Sequence, residues 1–262
     1  MSLDFGDVHT NYLYRDEPLI STDDPTPFSL AVWVNLQGAA GADGNKNAIF
    51  SNSHTGSGPN IYLATDSNNT SVVKQQFASS SYGANSNTWT PTSTFDHLGW
   101  TYSSAYEVEY YRNGAGNGST TNTLSGQLAG NSASIGSLGR GFHSLFDFKG
   151  LMAHFAIWNA VLTEAEYLRL YLGANPLSVR FNSLISYLPM TAGNPGIDLV
   201  GQRPWLAEGT VTSNVTNPLV QTRPTLNGED FRRTLRFIEH PEAAAGNQPI
   251  FLYHNRHHNR GA

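Results

Sequence analysis

Apolar and polar residues alternate with a period of two through most of the first 160 positions, the spacing of strands that bury one face. In Phe28-Ser-Leu-Ala-Val-Trp-Val-Asn-Leu36, the residues Phe28, Leu30, Val32, Val34 and Leu36 fall on one face and Trp33 on the other. Leu98, Trp100 and Tyr102 alternate in the same way, as do Tyr106, Val108 and Tyr110. The latter run ends at Asn113-Gly114, a pair that closes two-residue hairpins. Gly- and Ser-rich stretches at 38–47, 51–60, 79–87 and 114–122 predict loops between these strands. Many short strands joined in this way predict an all-β protein built as an antiparallel β-sandwich, not a βαβ fold.

One segment breaks the period. Thr163-Glu-Ala-Glu166 has the spacing of a capping box, and it opens a short helix through Tyr167, Leu168, Leu170 and Tyr171. Gly173 is its predicted stop, with Asn175-Pro176 just beyond. The helix is expected against one edge of the sandwich.

Composition sharpens this picture. The 262 residues suffice for one large domain with an appendage. Only 13% are charged against 39% hydrophobic, so the surface must be rich in hydroxyls and amides. A net charge of −5 gives no long-range attraction for nucleic acid or an anionic membrane. No apolar run is long enough to span a bilayer. Met1 to Asp7 lack the basic and apolar regions of an export signal, so synthesis in a cytoplasm is expected, and the sequons at Asn68, Asn69, Asn117 and Asn214 read as turns. With no cysteine, disulfides and thiol chemistry are excluded.

The character of the chain changes near its end. Between Thr216 and Ala262 there are six arginines against four acids, four histidines and only short apolar patches. Such a segment cannot bury a core of its own and reads as an extended C-terminal arm over 216–262 that orders on a partner. Its expected anchors are Phe231, Phe237, Ile238, Phe251 and Tyr253, with Arg223, Arg232, Arg233 and Arg236 pairing to acids.

Three blocks carry a resemblance. Leu3-Asp-Phe-Gly-Asp-Val8 with Asn11-Tyr-Leu13, the Trp33-containing strand, and above all Phe148 to Thr163 resemble the LamG or pentraxin-like branch of the concanavalin A-like lectin/glucanase superfamily. The resemblance implies a jelly roll over residues 1–215. Leu184 to Met190, Asp198 to Gly201 and Glu208 to Val211 resemble the segment that ordinarily precedes the family's first strand. Their place after the helix implies a circular permutation, with 184–215 completing the sandwich. In this order, Leu172 to Pro189 is similar to LamG-like proteins of tailed-phage particles.

The family's glucanases set three acids on alternate positions of one strand. Here Glu107 and Glu109 share a face, but Tyr111 stands at the third position, so both glutamates read as solvent decoration. Relatives that bind calcium often carry acids where this chain has Ala153 and His154. Asp43, Asn45, Asp66 and Asn68 offer oxygens to calcium, yet such residues serve turns more often. His254, His257 and His258 lack the framework of a metal site, and His9, His54, His97 and His143 have no catalytic context in the sequence. Gly114 to Gly118 and Gly136 to Gly141 read as hairpin turns, not phosphate loops.

The sequence therefore reads as a non-catalytic, homo-oligomeric virion structural protein without a cofactor. It is expected at the virion surface as a phage capsid decoration or cement protein, its arm on the major capsid protein or another virion subunit, with no nucleic-acid or membrane partner. The alternative is a carbohydrate-binding tail-fibre or adhesin module, with Tyr82, Trp89 and Phe142 stacking on a glycan.

Overall fold

The structure, a computed structural model, describes residues 2–6, 11–15, 19–20, 27–37, 46–51, 62–66, 72–78, 83–92, 94–103, 107–121, 136–139, 147–190, 194–201, 204–214 and 218. All of them lie in one compact unit, Met1–Pro224. The strands are β1 (Ser2–Asp4), β2 (Tyr12–Arg15), β3 (Phe28–Leu36), β4 (Lys46–Ser51), β5 (Tyr62–Asp66), β6 (Val73–Ala78), β7 (Gly83–Trp89) and β8 (Asp96–Tyr102). They continue with β9 (Glu107–Arg112), β10 (Ala115–Thr121), β11 (Gly136–Leu138), β12 (Gly150–Trp158), β13 (Leu184–Leu188), β14 (Leu206–Glu208) and β15 (Thr212–Asn214). Among the described residues, eight strands form one sheet in the order β10-β9-β8-β3-β12-β1-β15, with β13 also paired to β12. Seven form a second sheet in the order β14-β2-β11-β4-β5-β6-β7. The pairings are antiparallel. The architecture is the predicted sandwich, with one α-helix, α1 (Glu164–Tyr171).

The alternation sorts residues as expected. Phe28, Leu30, Val32, Val34 and Leu36 point between the sheets, where they meet Phe50, Leu63, Phe77, Trp100, Tyr110 and Phe155 in the main core. Each such side chain contributes roughly 1.5–3 kcal/mol by leaving water. Ala31, on the opposite face of β3, joins a second cluster with Tyr111, Trp158, Tyr167 and Leu170 beneath α1. The helix thus lies on the outer face of the eight-stranded sheet, from the edge strand β10, whose Gly116 amide donates to Glu164, inward to β8. Gly99 makes this possible: a Cβ there would overlap the Tyr167 ring, which lies against the strand and stacks on Tyr111 at 4.1 Å. The Tyr167 hydroxyl donates to the Trp100 carbonyl at 2.8 Å.

Both ends of α1 follow the sequence. The Glu166 amide donates to Thr163 Oγ1, and the Thr163 amide to Glu166 Oε2. At the other end Gly173 adopts φ 93°, its amide donates to the Leu170 carbonyl, and the Ala174 amide donates to that of Arg169, a Schellman motif.

Two stretches expected as loops are strands. Residues 83–89 form β7 and 115–121 form β10, both Gly-, Ser- and Asn-rich. Ladder bonds do not depend on side-chain polarity, and here the polar groups tie the two strands together. Asn117 Nδ2 donates to Gln75 Oε1 at 3.1 Å and to Ser86 Oγ at 3.2 Å, and Thr120 Oγ1 donates to the Asn85 carbonyl. Asn113 and Gly114 between β9 and β10 both have positive φ, as a type I′ turn requires.

The chain after α1 returns to both sheets. β13 pairs with β12, β14 with β2 and β15 with β1, so residues 184–214 supply strands to each layer.

Candidate functional site

Beneath the end of α1, three side chains on adjacent strands share the outer face of the eight-stranded sheet. Trp33 on β3 and His97 on β8 are cross-strand neighbours, with ring centroids 5.0 Å apart. His154 arrives from β12 through a bulge. Ala153 faces Trp33 and Ala156 faces Ala31, so three residues on β12 advance against two on β3. The extra residue reverses the alternation, and Met152 and Phe155 both reach the main core. His154 itself takes φ 50°, a conformation that costs a non-glycine residue energy. Its Nδ1 lies 2.8 Å from the Tyr187 hydroxyl of β13.

These residues line a small cavity, with Leu170, Ala174 and Pro176 as its roof. Tyr171 extends the roof over Trp33, with ring centroids 5.8 Å apart. His97 is 2% exposed, and among the described residues its Nδ1 has no hydrogen-bond partner. Burial, with a smaller contribution from His154, pushes its pKa down from 6.5 to about 3, so the ring is neutral. Burial raises the Tyr187 phenol and also Tyr167, which lies 6.5 Å from His97 between ring centroids. His97 thus resists taking up a proton while the Tyr167 and Tyr187 phenols keep theirs.

The other sequence candidates lie elsewhere. Glu107 and Glu109 are exposed on β9, on the face opposite Val108 and Tyr110. Glu109 Oε2 accepts a 2.5 Å hydrogen bond from Tyr111, whose phenol is pushed up by burial and then by that carboxylate. Trp89 is 8% exposed and belongs to the main core. Its Nε1 donates to Asp96 Oδ2 at 3.2 Å, and the Arg112 guanidinium covers its ring at 5.1 Å. Its faces are therefore not presented to a sugar, in contrast to the expectation from the sequence. Tyr82, Phe142 and the arm residues Arg223, Phe231, Arg232, Arg233, Arg236, Phe237, Ile238, Phe251 and Tyr253 lie outside the described residues. So do Asp43, Asn45 and Asn68 of the calcium alternative, while Asp66 closes β5. Among the described residues, no three His, Asp or Glu side chains converge as a metal site would require.

The sequence reading missed the His97–His154 pair. Alternation alone sets Trp33 and His97 on faces opposite Val32 and Leu98, and antiparallel pairing of β3 with β8 then joins them. No signal in the sequence announces the bulge that brings His154 alongside.

Residues 9–166 match the family model Laminin_G_3, of the concanavalin A-like lectin/glucanases superfamily. None of the curated proteins matches the chain. Among solved structures, it is similar to the heptameric SAP-like pentraxin of Limulus polyphemus at 13% identity and a TM-score of 0.55, over 83% of this chain and 96% of that one. It is also similar to a candidate carbohydrate-binding protein of Bacteroides ovatus at 15% identity and a TM-score of 0.57, over 82% of this chain and 60% of that one. At these identities the likeness is one of fold.

Proposed function

The chain belongs to the concanavalin A-like lectin/glucanase superfamily, and on that premise we propose that it is a non-catalytic structural protein of a tailed-phage particle. In this reading it is a homo-oligomeric capsid decoration or cement protein on the virion surface. The sandwich is a rigid body, and the chain beyond residue 215 binds the major capsid protein or another virion subunit. The observation that carries the reading is that β13, β14 and β15 join both sheets ahead of the basic stretch, the last of them ending at Asn214. The basic, histidine-rich residues that follow carry only short apolar patches and are read as the partner-binding arm. Ordering them costs roughly 1–2 kcal/mol of backbone entropy per residue, which contacts to a partner must offset. Many copies on one particle supply avidity from weak single contacts. The non-catalytic part is supported by β9, where the glutamates face solvent and Tyr111 takes the place of a third acid.

The test is removal of residues 217–262, followed by a thermal melt and by co-sedimentation with capsids that lack the protein. The shortened chain is expected to melt cooperatively and to stay in the supernatant. Sedimentation equal to that of the full chain sinks the arm reading.

A second reading is carbohydrate binding by the same body. It is favoured by the superfamily and by a rim at β7 and β10 that exposes Asn85, Asn87, Thr88 and Ser119 without a charged group among them. Hydroxyl and amide groups in such a surface suit the polar edges of a sugar. Full-length protein on a glycan array separates the two readings. Saturable binding to one glycan class supports the second, and capsid binding with a blank array supports the first.

A further inference from the structure

The roof over His97 is a distinct piece of chain. It begins in the last turn of α1, turns at Gly173 with φ 93°, and continues through the 3₁₀ turn Pro176–Ser178 to Arg180, which has φ 42°. It is fastened to the sheet mainly by apolar contacts: Leu170 and Val179 pack in one cluster with Ala31 and Trp158, Pro176 lies over the cavity, Tyr171 stacks on Trp33, and Trp158 Nε1 donates to the Val179 carbonyl at 2.7 Å. Under it sits an imidazole that is almost wholly buried, with Nδ1 unpartnered among the described residues and a second imidazole lining the same cavity.

We propose that this cavity is an acid-operated latch, in which protonation of His97 releases the roof, residues 170–179, from the outer face of the eight-stranded sheet. Among the described residues, a charged imidazole meets no carboxylate in this cavity. The titratable groups facing it are His154 from β12 and Tyr167 from α1, with Tyr187 of β13 behind His154 and Tyr171 of α1 behind Trp33. β3 contributes Trp33, and the roof contributes Ala174 and Pro176. The acids nearest in the fold are engaged elsewhere: Glu109 with Tyr111, Glu164 with the Gly116 amide, and Asp96 with Arg112. Protonation therefore costs free energy while the roof is closed and none once the ring meets water.

The sign and window follow from linkage. His97 is held near 3 when closed and returns toward 6.5 when open, so the closed state binds fewer protons. Its stability is complete above 6.5 and falls as the pH drops toward 3. Between pH 7 and pH 5 the open population rises about 25-fold. Glu166 stays ionised across this window: although burial opposes it, Arg180 and Thr163 hold its carboxyl below 4.5. The pair that anchors the far end of the roof is thus unchanged while the histidine acts.

Hydrogen exchange of the full-length protein at pH 7 and pH 5, corrected for the intrinsic pH dependence of exchange, tests this. The amides of Leu172, Gly173, Ala174, Leu177, Ser178 and Val179 are expected to exchange about 25-fold faster at pH 5 relative to those of Val32 and Leu98. The effect is expected to vanish in His97→Phe, which keeps a ring beside Trp33, and in His97→Gln, which serves where the phenylalanine does not fold. Acid acceleration that survives in either folded variant overturns the proposal. So does a wild-type protein in which the His97 ring, followed by NMR, titrates near 6.5 while the roof amides keep pace with the sheet.

Discussion

The Asp198 side chain is wholly buried, and both its oxygens are committed. Oδ1 accepts from the amides of Tyr187, Val200 and Gly201 at 3.0, 3.0 and 2.7 Å, and Oδ2 accepts from Ser186 Oγ at 2.6 Å and from Arg15 Nη1 at 3.4 Å. A single carboxylate thereby fixes a turn, a strand of one sheet and, through Arg15 on β2, the other sheet. Replacing it with alanine leaves three amides and a nearly buried guanidinium without their acceptor, which costs about 3–5 kcal/mol. Asp198→Asn retains Oδ1 for the amides but removes the charge and sets an NH2 donor against the Arg15 guanidinium, so about 1–3 kcal/mol is expected. Urea denaturation of the two variants measures the difference, and an Asp198→Asn loss near zero would mean that the ion pair contributes nothing. The sequence shows Asp198 followed three residues on by Gly201, a legible turn. Its partner Arg15 is not legible, because an ion pair spanning 183 positions depends on how the sheets are laid together.

At the scale of elements, legibility follows the locality of the signal. The helix is written in adjacent residues, and its box, length and glycine stop all appear in the structure. The hairpin at Asn113-Gly114 is likewise local. β7 and β10 were hidden because Gly, Ser and Asn carry no strand preference, and their pairing rests on neighbours contributed by β6 and β9. The bulge at His154 was hidden for the same reason, since it exists only relative to β3. The helix therefore allows a sharp local test. Thr163→Ala removes the cap and is expected to lower stability by about 1 kcal/mol, while Thr163→Ser leaves it within a few tenths. Glu166→Ala should cost more than Thr163→Ala, because Glu166 also receives Arg180 at 2.5 Å. Denaturation midpoints measured at pH 7 check this order. A Glu166→Ala midpoint above that of Thr163→Ala would show that the Arg180 pair is idle.

At the scale of the whole molecule, the family model ends at residue 166 while the sandwich does not. Trp205, between the last helix and the last two strands, shows how far the late segment belongs to the core. It is 3% exposed, packs edge-on against Phe155 at 5.9 Å, and donates its amide to the Gly196 carbonyl at 2.9 Å. Phe155 in turn packs on Phe50 of the opposite sheet at 5.8 Å. If residues 184–214 are a full part of the sandwich, as a permuted jelly roll requires, Trp205→Ala must cost what a central aromatic costs, about 3–5 kcal/mol. Phe155→Ala provides the internal standard, because it empties the same region from a strand that lies within the family match. Both variants should unfold in a single transition, since removing either ring weakens one shared core. A loss below about 1 kcal/mol at Trp205, or a separate early transition that leaves the sheets intact, would make the late strands an overlay on a body complete without them. The permutation would then lose its physical basis, because a segment that merely covers the seam does not close it.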